Sequence, residues 1–184
     1  MSKFPDRPRS ALLVIDVQND VVATAWMRTQ VISNIAELVR KARAAGTPVV
    51  WVQHSDDWLP AGSEPWQIVP ELQPLPGEPR IGKHFRSSFE ETTLDALLEE
   101  LRVGRLFICG AQTNFCVRHT THAAIERGYD VTLVADAHTT SDEPWQSRVI
   151  PAASIVDELN RACMDYRLPY RSSGLVTTAD ADFA

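Results

Sequence analysis

The sequence predicts an α/β fold: one domain, spanning residues 1–184, built on a mostly parallel sheet with helices on both faces. Three observations carry this expectation. Short, unbroken and largely β-branched apolar runs recur along the chain, the pattern of strands covered on both faces. Segments with apolar residues at helical spacing alternate with them. The chain of 184 residues, 44% of them hydrophobic, is long enough to bury a full core without disulfide or metal staples.

The first run, residues 11–17, reads as a strand in which only Asp16 is polar. Val31, Ile35, Leu38, Val39 and Ala42 then share one face of a helix closed by Gly46 and Pro48. Residues 48–52 form a second buried strand. Thr92 or Thr93 can cap a helix carrying Leu94, Leu97, Leu98 and Leu101, which stops near Gly104. Residues 106–110 give a third strand. Val117, Thr120, Thr121, Ala124 and Ile125 suit a small-residue helix packed closely on the sheet and ended by Gly128. A fourth strand follows at 131–135, a last helix at 151–163 and a short strand at 175–177. The main irregularity is residues 55–91, which hold six of the twelve prolines together with Trp58 and Trp66. A connection of that length reads as a binding loop or lid.

Composition excludes several classes of function. The formal charge is −6 and no basic block exceeds a residue or two, so neither a nucleic-acid groove nor an anionic membrane surface is expected. No apolar run reaches the ~20 residues of a membrane span, and residues 1–9 lack the apolar core of a signal peptide. Three irregularly spaced cysteines form neither a disulfide framework nor a zinc knuckle, which fits a reducing, cytoplasmic setting.

In open α/β sheets ligands sit beyond the carboxyl ends of the strands. That rule collects Asp16, Gln18, Asn19 and Asp20 after the first strand, then Gln53, His54, Asp56 and Asp57 after the second. It adds residues 110–116 after the third, and Asp136 and His138 after the fourth. Cys116 has the strongest case among these. With Thr113 as helix cap it falls in the first turn, where free N–H groups and the helix dipole favour a thiolate; the bland alternative is a small buried hydrophobe, the reading given to Cys109 and Cys163. Asp16 is either a base raised by burial or a structural carboxylate held by loop amides. Lys83 reads on its own as an exposed lysine, of interest only as a cation able to keep Asp16 ionised and lower the Cys116 pKa. Trp58, Trp66, Phe85, Phe89 and Phe115 are candidate pocket walls or plain core. His119 and His122, three apart on one helix, lack a third metal ligand.

Asp16 within Leu-Val-Ile-Asp-Val-Gln-Asn-Asp, the Gly82-Lys83 pair before a Phe-containing loop, and Gly-Ala-Gln-Thr-Asn-Phe-Cys-Val at 110–117 together resemble the isochorismatase-like cysteine hydrolases. That family includes nicotinamidases, N-carbamoylsarcosine amidohydrolases and streptothricin hydrolase-like enzymes. The resemblance implies a catalytic triad of Asp16, Lys83 and Cys116, and a cis peptide at 111–112. It also implies an oxyanion hole from the Gln112 and Cys116 N–H groups. With it comes cysteine-dependent hydrolysis of a small amide, carbamoyl or lactam substrate, contacted by Gln18, Trp58, Phe85 and Phe115. Homodimers or homotetramers are expected by resemblance alone. The Asp-x-His motif of metal-binding nicotinamidases is replaced by Gln53-His54-Ser55-Asp56-Asp57, so no metal or other cofactor is expected. The alternative is an idle or redox-responsive binding protein of the same fold.

Overall fold

The computed structural model describes residues 2–183. A seven-stranded sheet runs through it in the order β3-β2-β1-β4-β5-β9-β8. Its strands are β1 (Arg9–Ile15), β2 (Val49–His54), β3 (Arg80–Lys83), β4 (Val103–Ala111), β5 (Asp130–Thr139), β8 (Arg167–Leu168) and β9 (Arg171–Val176). All neighbouring pairs are parallel except β8 with β9. The helices are α1 (Arg28–Ala44), α2 (Leu94–Glu100), α3 (Arg118–Arg127) and α4 (Ala152–Asp165), and a small antiparallel hairpin joins β6 (Glu143–Trp145) to β7 (Arg148–Ile150).

The alternation of β1 shows how the sequence makes two cores. Leu12 and Val14 point to one face, where Val31, Ile35 and Leu38 of α1 cover them beside Trp51. Leu13 and Ile15 point to the other, against Leu94 and Leu98 of α2, Ile125 of α3 and Leu159 of α4. β1 is therefore covered on both faces, which is why its sequence reads as a continuous apolar run. Phe89 belongs to this second core, packed on Tyr129 at 5.8 Å rather than on a pocket wall.

The elements expected from the sequence are present, with several differences. β3 was not anticipated: Arg-Ile-Gly-Lys is too short and too polar to show a strand pattern, and it pairs because β2 offers it an edge. The hairpin β6–β7 and strand β8 were likewise unseen, and β9 begins earlier than the predicted short strand. Gly104 does not end α2. The chain turns at Arg102 (φ +57°) and Gly104 lies inside β4, where a Cβ would stand 2.4 Å from the Arg7 carbonyl oxygen.

The order of the strands fixes the place of the site. From β1 the chain moves outward through β2 and β3, then returns to lay β4 on the other flank of β1. The crevice between the carboxyl ends of β1 and β4 is thus the switch point at which such sheets bind ligands. Among the described residues, no helix is long and apolar enough to cross a membrane.

At the switch point β1 and β4 approach closely. Gly110 has φ +121°, and a Cβ there would lie 2.0 Å from the Ile15 carbonyl oxygen. Gly110→Ala is expected to destabilise the fold by more than about 3 kcal/mol, seen as loss of the cooperative thermal transition or as insoluble protein. A Gly110→Ala protein melting within a few degrees of the wild type would contradict this packing.

Candidate active site

β1 ends at Ile15, and Asp16 takes a left-handed conformation (φ +49°) that aspartate tolerates better than most residues. Its N–H donates to the Val52 carbonyl at 2.9 Å, so the backbone stays tied to β2 while the side chain is turned into the crevice. Lys83 is the last residue of β3, in register with His54 of β2. Its side chain has no solvent exposure, and Nζ lies 2.7 Å from Asp16 Oδ2, itself in a side chain only 1% exposed. The reading of Lys83 as an exposed lysine is therefore overturned. The same Nζ donates to the Phe85 carbonyl at 3.2 Å and to Cys116 Sγ at 3.2 Å.

Cys116 sits in a single π-helical turn, Thr113–Val117, which leads directly into α3. The Ala111–Gln112 peptide before it is cis. Thr113 does not cap this turn as expected. It is buried, and its hydroxyl lies 2.9 Å from His138 Nδ1. The structure thus brings Asp16, Lys83 and Cys116 together from three separate strand ends.

The expected pull of the turn and of Lys83 toward a thiolate does not prevail. Burial, reinforced by the neighbouring Asp16 charge, pushes the Cys116 thiol up to about 12, and the opposing Lys83 cation does not overcome this. Burial also raises Asp16 above the ordinary carboxylate range, against the lowering effect of Lys83. The thiol is therefore protonated at rest, 3.2 Å from the Lys83 Nζ that also meets Asp16 at 2.7 Å. A carboxylate raised by burial is a stronger base than an ordinary one.

A cavity of about 370 Å³ opens over these groups. Asp16, Gln112 and Cys116 form its floor, and Phe115, Trp58 and Arg86 are among its walls. Trp58 lines it while remaining 93% exposed. Gln18 lies elsewhere: fully buried, it donates to the His54 and Trp66 carbonyls at 3.0 and 2.8 Å and accepts from the His54 N–H at 2.9 Å. It ties the long loop to β2 instead of facing the cavity. Phe85 is half-exposed and outside the cavity lining, contributing its carbonyl to Lys83.

Sequence reasoning missed Arg86, whose guanidinium carbon sits 4.5 Å from the centre of the Phe115 ring. Nothing marked it, because without β3 its loop had no fixed place. Asp20, Val21 and Leu59 also line the cavity.

His54 faces the cavity with Nε2 3.0 Å from Asp56 Oδ2, and Asp56 is further held by the Trp58 and Leu59 N–H groups. Asp57 is exposed. His119 donates from Nδ1 to the Phe115 carbonyl (2.8 Å), whereas the His122 ring packs on Tyr166, so the two do not act as a ligand pair. Among the described residues no group of three or more His, Cys, Asp or Glu side chains is arranged to hold a metal ion.

The chain matches the isochorismatase domain family over residues 10–157. It belongs to the isochorismatase family. It is similar to the uncharacterised isochorismatase family protein YddQ of Bacillus subtilis, with 32% identity over 79% of this chain and 86% of the relative. A streptothricin hydrolase of Streptomyces noursei is 35% identical over 80% of this chain, which spans only 62% of that protein. The ureidoacrylate amidohydrolase RutB of Methylobacterium radiotolerans is 31% identical over 72% of this chain and 67% of its own length. Among solved structures, an isochorismatase from Pseudomonas putida superposes with a TM-score of 0.82 at 30% identity, covering 93% of this chain and 89% of that one.

Two expectations follow from the charges. Asp16→Asn removes the anion that raises Cys116 while leaving the Lys83 cation, so iodoacetamide should label Cys116 faster, by on the order of tenfold for each pKa unit gained. Lys83→Met should slow labelling. Equal rates in all three folded proteins would mean that the thiol does not sense the pair. The second concerns His138, which burial lowers to about 4 against the opposing effects of the Asn160 hydrogen bond and the Asp136 charge. An unfolded histidine takes up its proton near 6.5, so between about 6.5 and about 4 the unfolded state binds more protons and stability falls as pH falls. The loss should approach roughly 3 kcal/mol at pH 4 by urea unfolding, and His138→Asn should flatten that slope.

Proposed function

We propose that this isochorismatase-family hydrolase is a cysteine-dependent hydrolase of carbon–nitrogen bonds in a small amide, carbamoyl or lactam compound. The observation that carries the reading is the position of Lys83 Nζ, 2.7 Å from Asp16 and 3.2 Å from Cys116 Sγ under one cavity. The names of the streptothricin hydrolase and ureidoacrylate amidohydrolase relatives support it.

In this reading Asp16 takes the thiol proton as sulfur attacks the carbonyl carbon. The carbonyl π electrons move to oxygen, and the oxyanion is received by the Gln112 and Cys116 N–H groups at the start of the turn, where helical N–H groups lack carbonyl partners within the helix. Protonated Asp16 gives its proton to the leaving nitrogen as the C–N bond breaks, leaving a thioester. Asp16 then takes a proton from water, hydroxide adds to the thioester, and the sulfur leaves and recovers that proton. Trp58 and Phe115 would bound the substrate. The reading includes assembly as a homodimer or homotetramer and a cytoplasmic setting, consistent with three free cysteines.

The redox-responsive alternative needs a stabilised thiolate and a resolving partner. The raised thiol of Cys116 and the burial of Cys109 weigh against it.

The test is a panel of small amides and carbamoyl compounds followed by ammonia release, with lactams followed by mass detection, each with and without EDTA. Turnover is expected to persist in EDTA and to fall at least about 10³-fold in Cys116→Ala. Asp16→Asn should lose turnover by about 10²–10⁴-fold even though its cysteine labels faster. Turnover that survives in Cys116→Ala would overturn the mechanism.

A further inference from the structure

The turn that carries Cys116 is held from beneath by a chain of side chains that the proposed reaction does not use. Thr113, its first residue, is wholly buried, as is His138 of β5. The Thr113 hydroxyl and His138 Nδ1 are 2.9 Å apart, and His138 Nε2 lies 2.9 Å from Asn160 Oδ1 on α4. The Asn160 amide donates from Nδ2 to the Ala135 carbonyl at 3.1 Å.

These bonds have only one consistent set of proton directions. Because Asn160 Nδ2 faces a carbonyl, its Oδ1 must face the ring and accept. Nε2 then carries the ring proton, Nδ1 is the acceptor, and the Thr113 hydroxyl must donate to it. The Ala135 carbonyl thus sets, through three side chains, the rotamer of the first residue of the nucleophile turn.

The register of the sheet explains how His138 comes to be there. β4 and β5 pair at Ile108 with Leu133 and next at Gly110 with His138. Cys109 alone stands against Val134, Ala135, Asp136 and Ala137. This bulge re-aims the end of β5 toward the turn, a common use of such irregularities beside functional sites. Asn114, the next residue of the turn, is braced separately by the Thr140 hydroxyl at 2.8 Å and the Glu143 carboxylate at 2.8 Å.

We propose that His138 is a positioning residue that acts through Thr113 to hold the Gln112 and Cys116 N–H groups and the Cys116 sulfur in reactive alignment. This rests on the cysteine-hydrolase reading above. It deepens that reading by assigning the alignment to a hydrogen bond rather than to packing alone. Displacing such a turn by about an ångström is enough to cost on the order of 10²-fold in rate.

Two conservative replacements separate the halves of the chain. His138→Asn keeps an amide oxygen near the place of Nδ1, able to accept from Thr113. His138→Gln keeps an amide near Nε2, able to bond Asn160 but not Thr113. Thr113→Val deletes the donor at nearly constant shape, and Thr113→Ser retains it. For each variant kcat, KM, the thermal midpoint and the rate of Cys116 labelling by iodoacetamide against pH would be measured, with labelling located by mass spectrometry. The expected result is a kcat reduced about 10²-fold in His138→Gln and Thr113→Val with KM changed little. His138→Asn and Thr113→Ser should stay within about threefold of wild type. The labelling profile should shift in the same two variants and not in the others. If all four variants lose stability together but keep kcat and the labelling profile, His138 is only structural and the proposal is wrong. Failure of the cysteine mechanism itself would show differently, as turnover surviving in Cys116→Ala, and the labelling profiles would still decide the role of His138.

Discussion

Lys83 and Asp16 face each other at 2.7 Å with almost no access to water, and the arrangement of the surrounding chain serves to make that contact. An ion pair so placed is a poor source of stability, since the desolvation of both groups can exceed their attraction. Losing one partner, however, strands a buried charge at a cost of about 3–5 kcal/mol. The two residues lie at the ends of β1 and β3, which are not neighbours; β2 runs between them. Lys83 must therefore reach across the end of β2, and that end is kept in order by Gln18, which bonds both the N–H and the carbonyl of His54. Gln18 is polar and wholly buried for this reason, and the same amide anchors the long loop through the Trp66 carbonyl.

The third member of the cluster arrives by a different route. Cys116 is carried on a turn whose entry is set by Gly110, packed without room for a Cβ against Ile15, and whose base is held by Thr113, His138 and Asn160. Ile15 precedes Asp16, so the contact of Gly110 with Ile15 joins the entry of the turn to the residue before the carboxylate. The apolar cores on the two faces make the strands rigid; the polar bonds at their ends decide which way each functional side chain points.

This division explains what could be read from the sequence. Buried parallel strands and amphipathic helices announce themselves through local apolar patterns, so β1, β2, β4, β5 and the four helices were legible. Asp16 and Cys116 stood out because they end or follow such patterns. Lys83 did not, since its burial depends on a four-residue edge strand with no pattern of its own. Arg86 follows from the same blind spot. Gln18 was misjudged as a cavity residue because a polar side chain after a strand looks alike whether it meets a ligand or a distant carbonyl. Thr113 was misjudged because a helix cap and a partner for His138 demand the same hydroxyl. The pull toward a thiolate fails at Cys116 for an energetic reason: burial and the Asp16 charge outweigh Lys83, and neither can be weighed before the distances are known.

The burial of Asp16 and Lys83 also bears on how the site could run the proposed chemistry. In the proposed mechanism the cluster starts with one cation, Lys83, and one anion, Asp16, beside a neutral thiol. Moving the thiol proton to Asp16 leaves one cation and one anion again, with the negative charge now on sulfur. Lys83 already donates toward Sγ at 3.2 Å while holding Asp16 at 2.7 Å, so it faces both alternative anions without changing place. No new charge has to be created in a medium of low dielectric, where doing so is most costly. A histidine in the role of the base would start neutral and end as a cation beside Lys83, adding repulsion to the desolvation of two ions. His54 lines the cavity with Nε2 turned to Asp56 and Nδ1 3.5 Å from Lys83 Nζ, and in the proposed mechanism the base is instead the Asp16 carboxylate, whose exchange with the thiol conserves charge.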